Sequence, residues 1–214
     1  MPFRLTATFD HRIALRHLAD VDPQLGEAMR RVGNVHRPAS SRGTPFDALL
    51  RSITYQQLSG KAAGTIYGRV CALYPRNRPT PAAVMATPAE VLRAAGLSRA
   101  KVLAAHDLAA KTMDGTVPAS TAGMHRLDDE AIIARLTTVR GVGRWTVEMF
   151  LMFRLGRPDV LPATDLGVQK GYAVAFGKRK LPTPQQLLRR GERWRPWRTV
   201  ASWYFWALAD LGPG

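Results

Sequence analysis

The chain has 214 residues, 46% of them hydrophobic, enough to bury the core of one large domain or two small ones without covalent staples. Its single cysteine, Cys71, excludes an intramolecular disulfide and a cysteine-ligated zinc or iron–sulfur centre, and the five histidines lack metal-ligand spacing, so no catalytic metal is expected. Lys and Arg number 31 against 16 Asp and Glu, a formal net charge of +15 that attracts polyanions, nucleic acid first among them, unless the arginines merely solvate the surface.

The first residues, MPFRLTATFDHR, contain no secretory apolar run, and no later window is apolar enough to span a bilayer. A soluble, cytoplasmic protein without a membrane partner is the expectation. LTATF offers one short strand. Residues 34–44, NVHRPASSRGT, are polar and rich in turn formers, and set a short N-terminal region, 1–44, apart from a main body, 45–211, on which it packs.

From there the apolar spacing is helical. Phe46, Leu49, Leu50, Ile53 and Leu58 follow the three-to-four-residue beat behind a Thr44 cap and Pro45, predicting one helix over 45–73. Thr87-Pro88 opens a helix that Gly96 ends, Ser98 opens one ending near Gly115, and Asp128 opens one running toward Val139. Further helices begin at Gly143, near Thr164, at Thr183-Pro184 and at Pro196. The fold class is all-α. Cys71 reads as a buried small hydrophobe, and Trp194, Trp197 and Trp203 as core or rim.

Between two of these helices the chain reads VRGVGRWTV, residues 139–147. Leu136, Val139, Val142, Val147 and Phe150 let two helices pack across a tight turn at about 136–150, and glycines there allow positive φ and close approach of a ligand. The first N–H groups of the second helix point outward with the positive end of its dipole behind them, where a phosphate can dock. A plain interhelical turn with a glycine cap fits the same residues.

The pattern resembles the helix-hairpin-helix DNA-binding motif, with Arg140 where most members carry proline. The resemblance implies a phosphate held by the segment Arg140, Gly141, Val142, Gly143 and Arg144, often with a monovalent cation. About twenty residues on, LPATDLGV places Asp165 at a helix start, an ordinary N-cap by itself. In that order the two elements resemble the helix-hairpin-helix DNA glycosylases, whose essential aspartate Asp165 matches. The implied fold has two helical subdomains with the active-site cleft between them. Trp145 stands where the strand-cutting members carry a nucleophilic lysine, which argues against a Schiff base. FDALLRSITYQQLSGKAA and ERWRPWRTVASWYFWALADL look like the alkylation-repair branch, 3-methyladenine DNA glycosylase II.

That resemblance implies a monofunctional enzyme, monomeric and nucleoid-associated, that needs no cofactor, flips alkylated bases out of double-stranded DNA and hydrolyses the N-glycosidic bond with Asp165. Trp145 and Trp206 would face the cationic base through cation–π attraction, with Met149, where a tyrosine is expected, and Tyr55 completing the pocket. Gln57 or Leu58 would be the wedge that fills the gap left by the flipped base; Leu58 could equally pack in the core. Competing readings are a non-catalytic DNA-binding protein that keeps the hairpin, and a glycosylase for other damaged bases.

Overall fold

The computed structural model describes residues 10–35 and 43–212. The segment proposed as a strand and most of the proposed linker lie outside them. Among the described residues there is no strand, and the all-α expectation holds. The helices in chain order are α1 (His11–Val21), α2 (Pro23–Val32), α3 (Pro45–Tyr55), α4 (Gly60–Ala72), α5 (Pro81–Ala86), α6 (Ala89–Ala94), α7 (Arg99–Met113), α8 (Asp129–Leu136), α9 (Arg144–Phe150), α10 (Leu166–Ala175), α11 (Pro184–Gly191) and α12 (Arg198–Leu211). A π-helical stretch, Leu151–Leu155, continues α9.

Many boundaries follow from side-chain caps. Thr44 forms a capping box with Asp47 at the start of α3, and Thr183 one with Gln186 at the start of α11. Ser98 caps α7 and Asp128 caps α8. The single helix expected over 45–73 is two helices. The chain leaves helical geometry at Gln56, passes through Gln57 at φ 59°, and restarts behind Ser59, whose hydroxyl accepts from the Ala62 N–H. Leu58, which sustained the periodic reading, is 40% exposed and belongs to the turn, not to the core. Serine at an N-cap offers the backbone a competing hydrogen bond that apolar spacing does not reveal.

The chain divides into two compact units: Ser41–Phe150, and the segments on either side of it taken together. In the contiguous unit, Phe46, Leu49, Leu50 and Ile53 of α3 are buried, as are Ala105, Leu108 and Ala109 of α7 and Ile132 and Leu136 of α8. Cys71 is only part-buried, and burial pushes its thiol up, away from a nucleophilic thiolate.

The other unit is centred on the pair α10 and α12. At Gly171 any side chain would collide with the carbonyl of Phe205, so the two helices meet backbone to backbone. Trp194, Phe176, Tyr172 and Phe205 form an aromatic cluster beside this contact, and Trp194 is fully buried. Trp203 is buried as well, as expected of a core tryptophan. Asp22, nearly inaccessible, caps α2 through the Leu25 N–H and accepts from the Arg190 guanidinium at 3.1 and 3.0 Å and from the Trp194 indole at 3.0 Å. Burial alone would raise its carboxyl; the hydrogen bonds from Arg190 and Trp194 and the charge of Arg190 outweigh it and hold the carboxyl below its ordinary value.

Candidate active site

The hairpin joins α8 to α9. Leu136, Val139, Val142, Val147 and Phe150 are all buried, so the apolar half of the motif is core. The Val142 N–H closes the turn on the Val139 carbonyl at 3.0 Å, and Gly141 sits at φ 74°, a conformation that a Cβ disfavours. Gly143 differs. It is not among the positive-φ glycines, and a methyl there would meet nothing within 4 Å beyond its own chain neighbours. No intramolecular contact therefore calls for glycine at 143.

Three acidic residues that sequence reasoning missed hold the turn. Asp107 of α7 accepts from the Arg140 N–H at 2.7 Å and from Lys111 at 2.8 Å, while Lys111 also reaches the Thr138 carbonyl. Burial raises the Asp107 carboxyl, but these donors more than compensate and leave it lowered. Glu130 of α8 binds the Arg144 guanidinium through two hydrogen bonds, one of them 2.9 Å, and Glu148 receives it at 3.2 Å. Hydrogen bonding to Arg144 lowers Glu130, and the same pairing raises Arg144. The Arg144 side chain is thus engaged with carboxylates. Arg140 is exposed. A pairing across 33 residues, like that of Asp107 with Arg140, leaves no local sequence signal.

Beside the hairpin, within the same unit, lies a cavity of about 690 Å³. Tyr55, Gln56, Gln57, Leu58, Gly141, Trp145 and Met149 line it, so the residues singled out for the pocket and the wedge, Trp206 excepted, come together with one hairpin glycine. Trp145 is 44% exposed and Gln57 is exposed. Arg51, also lining it and not anticipated, stacks its guanidinium 4.0 Å from the centre of the Tyr55 ring. One face of that tyrosine therefore already carries a cation.

Asp165 and Trp206 come together in the other unit. Asp165 caps α10, its Oδ1 accepting from the Val168 N–H at 2.8 Å and from the Trp206 indole N–H at 2.8 Å. The indole is stacked on Phe153, centroids 5.8 Å apart. A methyl at Gly167 would lie 2.7 Å from Trp206 Cδ1 and 3.1 Å from Asp165 Oδ1, so glycine is what lets ring and carboxylate meet. The loop leading to Asp165 is fixed to α12. Thr199 donates to the Arg157 carbonyl at 2.7 Å and accepts from the Val160 N–H at 3.0 Å; Arg198 holds Asp159 at 2.6 and 3.1 Å. Gln169 returns from α10 to the Ala163 carbonyl at 2.8 Å. The result is a carboxylate on a braced loop at a helix N-terminus, half-buried, with an indole N–H fixing one oxygen. Such a group can stabilise developing positive charge and orient a water.

Among the described residues no cluster of three or more His, Cys, Asp or Glu could hold a metal, and no helix is long and apolar enough to cross a membrane.

Residues 50–196 match the family described as HhH-GPD superfamily base excision DNA repair protein. The DNA-3-methyladenine glycosylase 1 of Schizosaccharomyces pombe is 37% identical over 198 residues, 91% of this chain and 86% of that protein. The solved structure of the 3-methyladenine DNA glycosylase of that yeast in complex with abasic DNA superposes with a TM-score of 0.80 at 36% identity, covering 91% of this chain and 95% of that one. A DNA-3-methyladenine glycosidase from Bacillus halodurans gives a TM-score of 0.83 at 32% identity, covering 95% and 91%.

Proposed function

Since the chain belongs to the HhH-GPD superfamily of base excision DNA repair proteins, in its alkylation-repair branch, we propose that it excises alkylated purines, 3-methyladenine and 7-methylguanine among them, from double-stranded DNA. The observation that carries the reading is the braced Asp165 carboxylate, bonded to the Trp206 indole. Capping α10 needs only one acceptor at 165; the added indole bond and the braced loop that fix this carboxylate near a polyanion favour a chemical role over DNA holding alone.

Three steps follow. The hairpin grips a backbone phosphate through the N–H groups at Gly143 and Arg144; the open space around the missing Cβ at Gly143 supports such close approach. A monovalent cation there would lessen the repulsion between the phosphate and the turn's carbonyl groups. The nucleotide is then rotated out of the helix, at a cost of a few kcal/mol, while the turn at Gln57 and Leu58 fills the vacated stack. The extruded base enters against Trp145, whose π face favours the cationic ring of an alkylated purine by roughly 1–2 kcal/mol once water is excluded.

A cationic base is already a good leaving group. Breaking the N-glycosidic bond leaves its electron pair on the base nitrogen and positive charge on the sugar. Asp165 stabilises that oxocarbenium-like centre and accepts a proton from the attacking water, so base and abasic sugar are the products. Tryptophan at 145 cannot form a Schiff base, so the strand stays intact. The reaction needs no cofactor.

The test is Asp165→Asn with duplex DNA carrying 7-methylguanine. Asparagine keeps an oxygen to cap α10, so the variant is expected to fold and bind DNA while base release falls by about 100- to 1000-fold. Retained excision would overturn the assignment, and a covalent adduct trapped with borohydride from the wild type would overturn the monofunctional reading.

A further inference from the structure

The turn between α3 and α4 is restrained from two directions. Lys101 of α7 reaches under the end of α3, its ammonium donating to the carbonyls of Thr54 at 2.8 Å and Gln56 at 2.7 Å. These are among the carbonyls a helix leaves without partners where its ladder stops. Burial lowers the ammonium, and the two carbonyls are what it faces there. From the same turn, the Gln56 side-chain amide donates to the Gly141 carbonyl at 2.8 Å, 85 residues further along. That carbonyl belongs to the glycine whose positive φ sets the chain direction into α9.

Gln57, next to Gln56, holds φ at 59°, and a non-glycine residue keeps such a conformation only where its surroundings impose it. The turn is closed by the Leu58 N–H on the Tyr55 carbonyl at 3.3 Å, which sets the positive φ at its third residue, and Lys101 and the hairpin hold Gln56, the residue before it, from two directions. Resting on the glycosylase reading above, we propose that Gln56 is a positioning residue: it couples the wedge turn to the phosphate-gripping hairpin, so that both engage DNA as one rigid body. The spacing of phosphates along a strand is set by the DNA. A wedge at a fixed offset from the phosphate grip arrives at the vacated base step without a further search, whereas an uncoupled wedge must find it for each encounter. Gln56 also lines the cavity beside the hairpin, but its proposed role acts through the turn and the hairpin; a direct contact with the base would instead slow release equally on every substrate.

The experiment compares single-turnover base release by the wild type, Gln56→Glu and Gln56→Ala on two substrates. One is a duplex with 7-methylguanine paired to cytosine; the other places the same lesion in a bubble of unpaired nucleotides, where extrusion needs little help. Gln56→Glu keeps the shape but removes the donor and turns a carboxylate toward the Gly141 carbonyl. Both variants should lose about tenfold or more on the paired lesion and several-fold less in the bubble, the substrate-dependent difference being the signature of impaired extrusion. Enhanced fluorescence of 2-aminopurine beside the lesion should fall in parallel. Equal losses on both substrates, or no loss on either, would overturn the coupling. A wild type that releases no methylated purine from either substrate would overturn the glycosylase reading itself, and the coupling with it.

Discussion

Replacing Gly167 with alanine places a methyl 2.7 Å from Cδ1 of the Trp206 indole. Ordinary van der Waals contact begins near 3.4 Å, so the ring must retreat by about 0.7 Å. It cannot simply tilt, because Phe153 covers one face. Its N–H lies 2.8 Å from Asp165 Oδ1, and retreat by that amount stretches the bond to the edge of hydrogen-bonding range. A hydrogen bond to a charged acceptor is worth about 1.5–3 kcal/mol. If Asp165 works only in the orientation this bond enforces, base release should slow by about 10- to 100-fold. The assay is single-turnover release of 7-methylguanine at saturating protein, with DNA affinity measured alongside and melting followed by circular dichroism. The prediction is a loss in rate with affinity for undamaged duplex preserved. Wild-type release by a folded Gly167→Ala protein would show that the indole does not orient the carboxylate, and would refute the reasoning.

At the hairpin, Gly141→Ala should cost about 1 kcal/mol of stability because φ is 74°, whereas Gly143→Ala should melt like the wild type yet bind DNA more weakly, as seen by fluorescence anisotropy. Trp145→Ala should reduce excision of cationic 7-methylguanine by roughly 5- to 30-fold, and that of a neutral base such as hypoxanthine by less, measured as the ratio of the two single-turnover rates. Asp22→Asn should cost about 2 kcal/mol and about 4–8 °C in Tm, the partly exposed Arg190 recovering some hydration. Because the folded-state carboxyl lies below its ordinary value of 3.8, Asp22 contributes its stability at higher pH and loses it as pH falls through the folded value. Acid denaturation below about pH 4 should therefore be steeper in the wild type than in Asp22→Asn.

Much of this architecture can be read from the chain before any coordinates. Thr44, Ser98, Asp128 and Thr183 each announce a helix because their side chains satisfy the backbone donor three residues on. The glycine hairpin and its apolar flanks are equally local. What escaped notice acts over distance or against the local pattern. Ser59 breaks a helix that periodicity would carry through, and Leu58 looks like core by spacing yet stands in the turn. Asp107 and Glu130, which hold the hairpin, lie on helices chosen for other reasons. Trp206 was legible as an aromatic for the base; its bond to Asp165 was not, since the two are 41 residues apart. Arg51 over Tyr55 is one helical turn away, a spacing shared by many pairs that never touch.

The unit that holds Asp165 is assembled from both ends of the chain, and this bears on how the protein is made. Asp22 finds Arg190 across 168 residues, and Tyr204 donates to the Gly33 carbonyl across 171. At about 5–20 residues per second, a ribosome delivers those partners roughly ten to thirty seconds after α1 and α2 have emerged. The contiguous unit, Ser41–Phe150, is complete much sooner. During synthesis the hairpin and its cavity can thus form first, while α1 and α2 wait for Arg190, Trp194 and Tyr204, the C-terminal partners that bond to Asp22 and Gly33 in the finished unit. In a cell short of holding chaperones, those two helices are where a nascent chain would first stick to its neighbours.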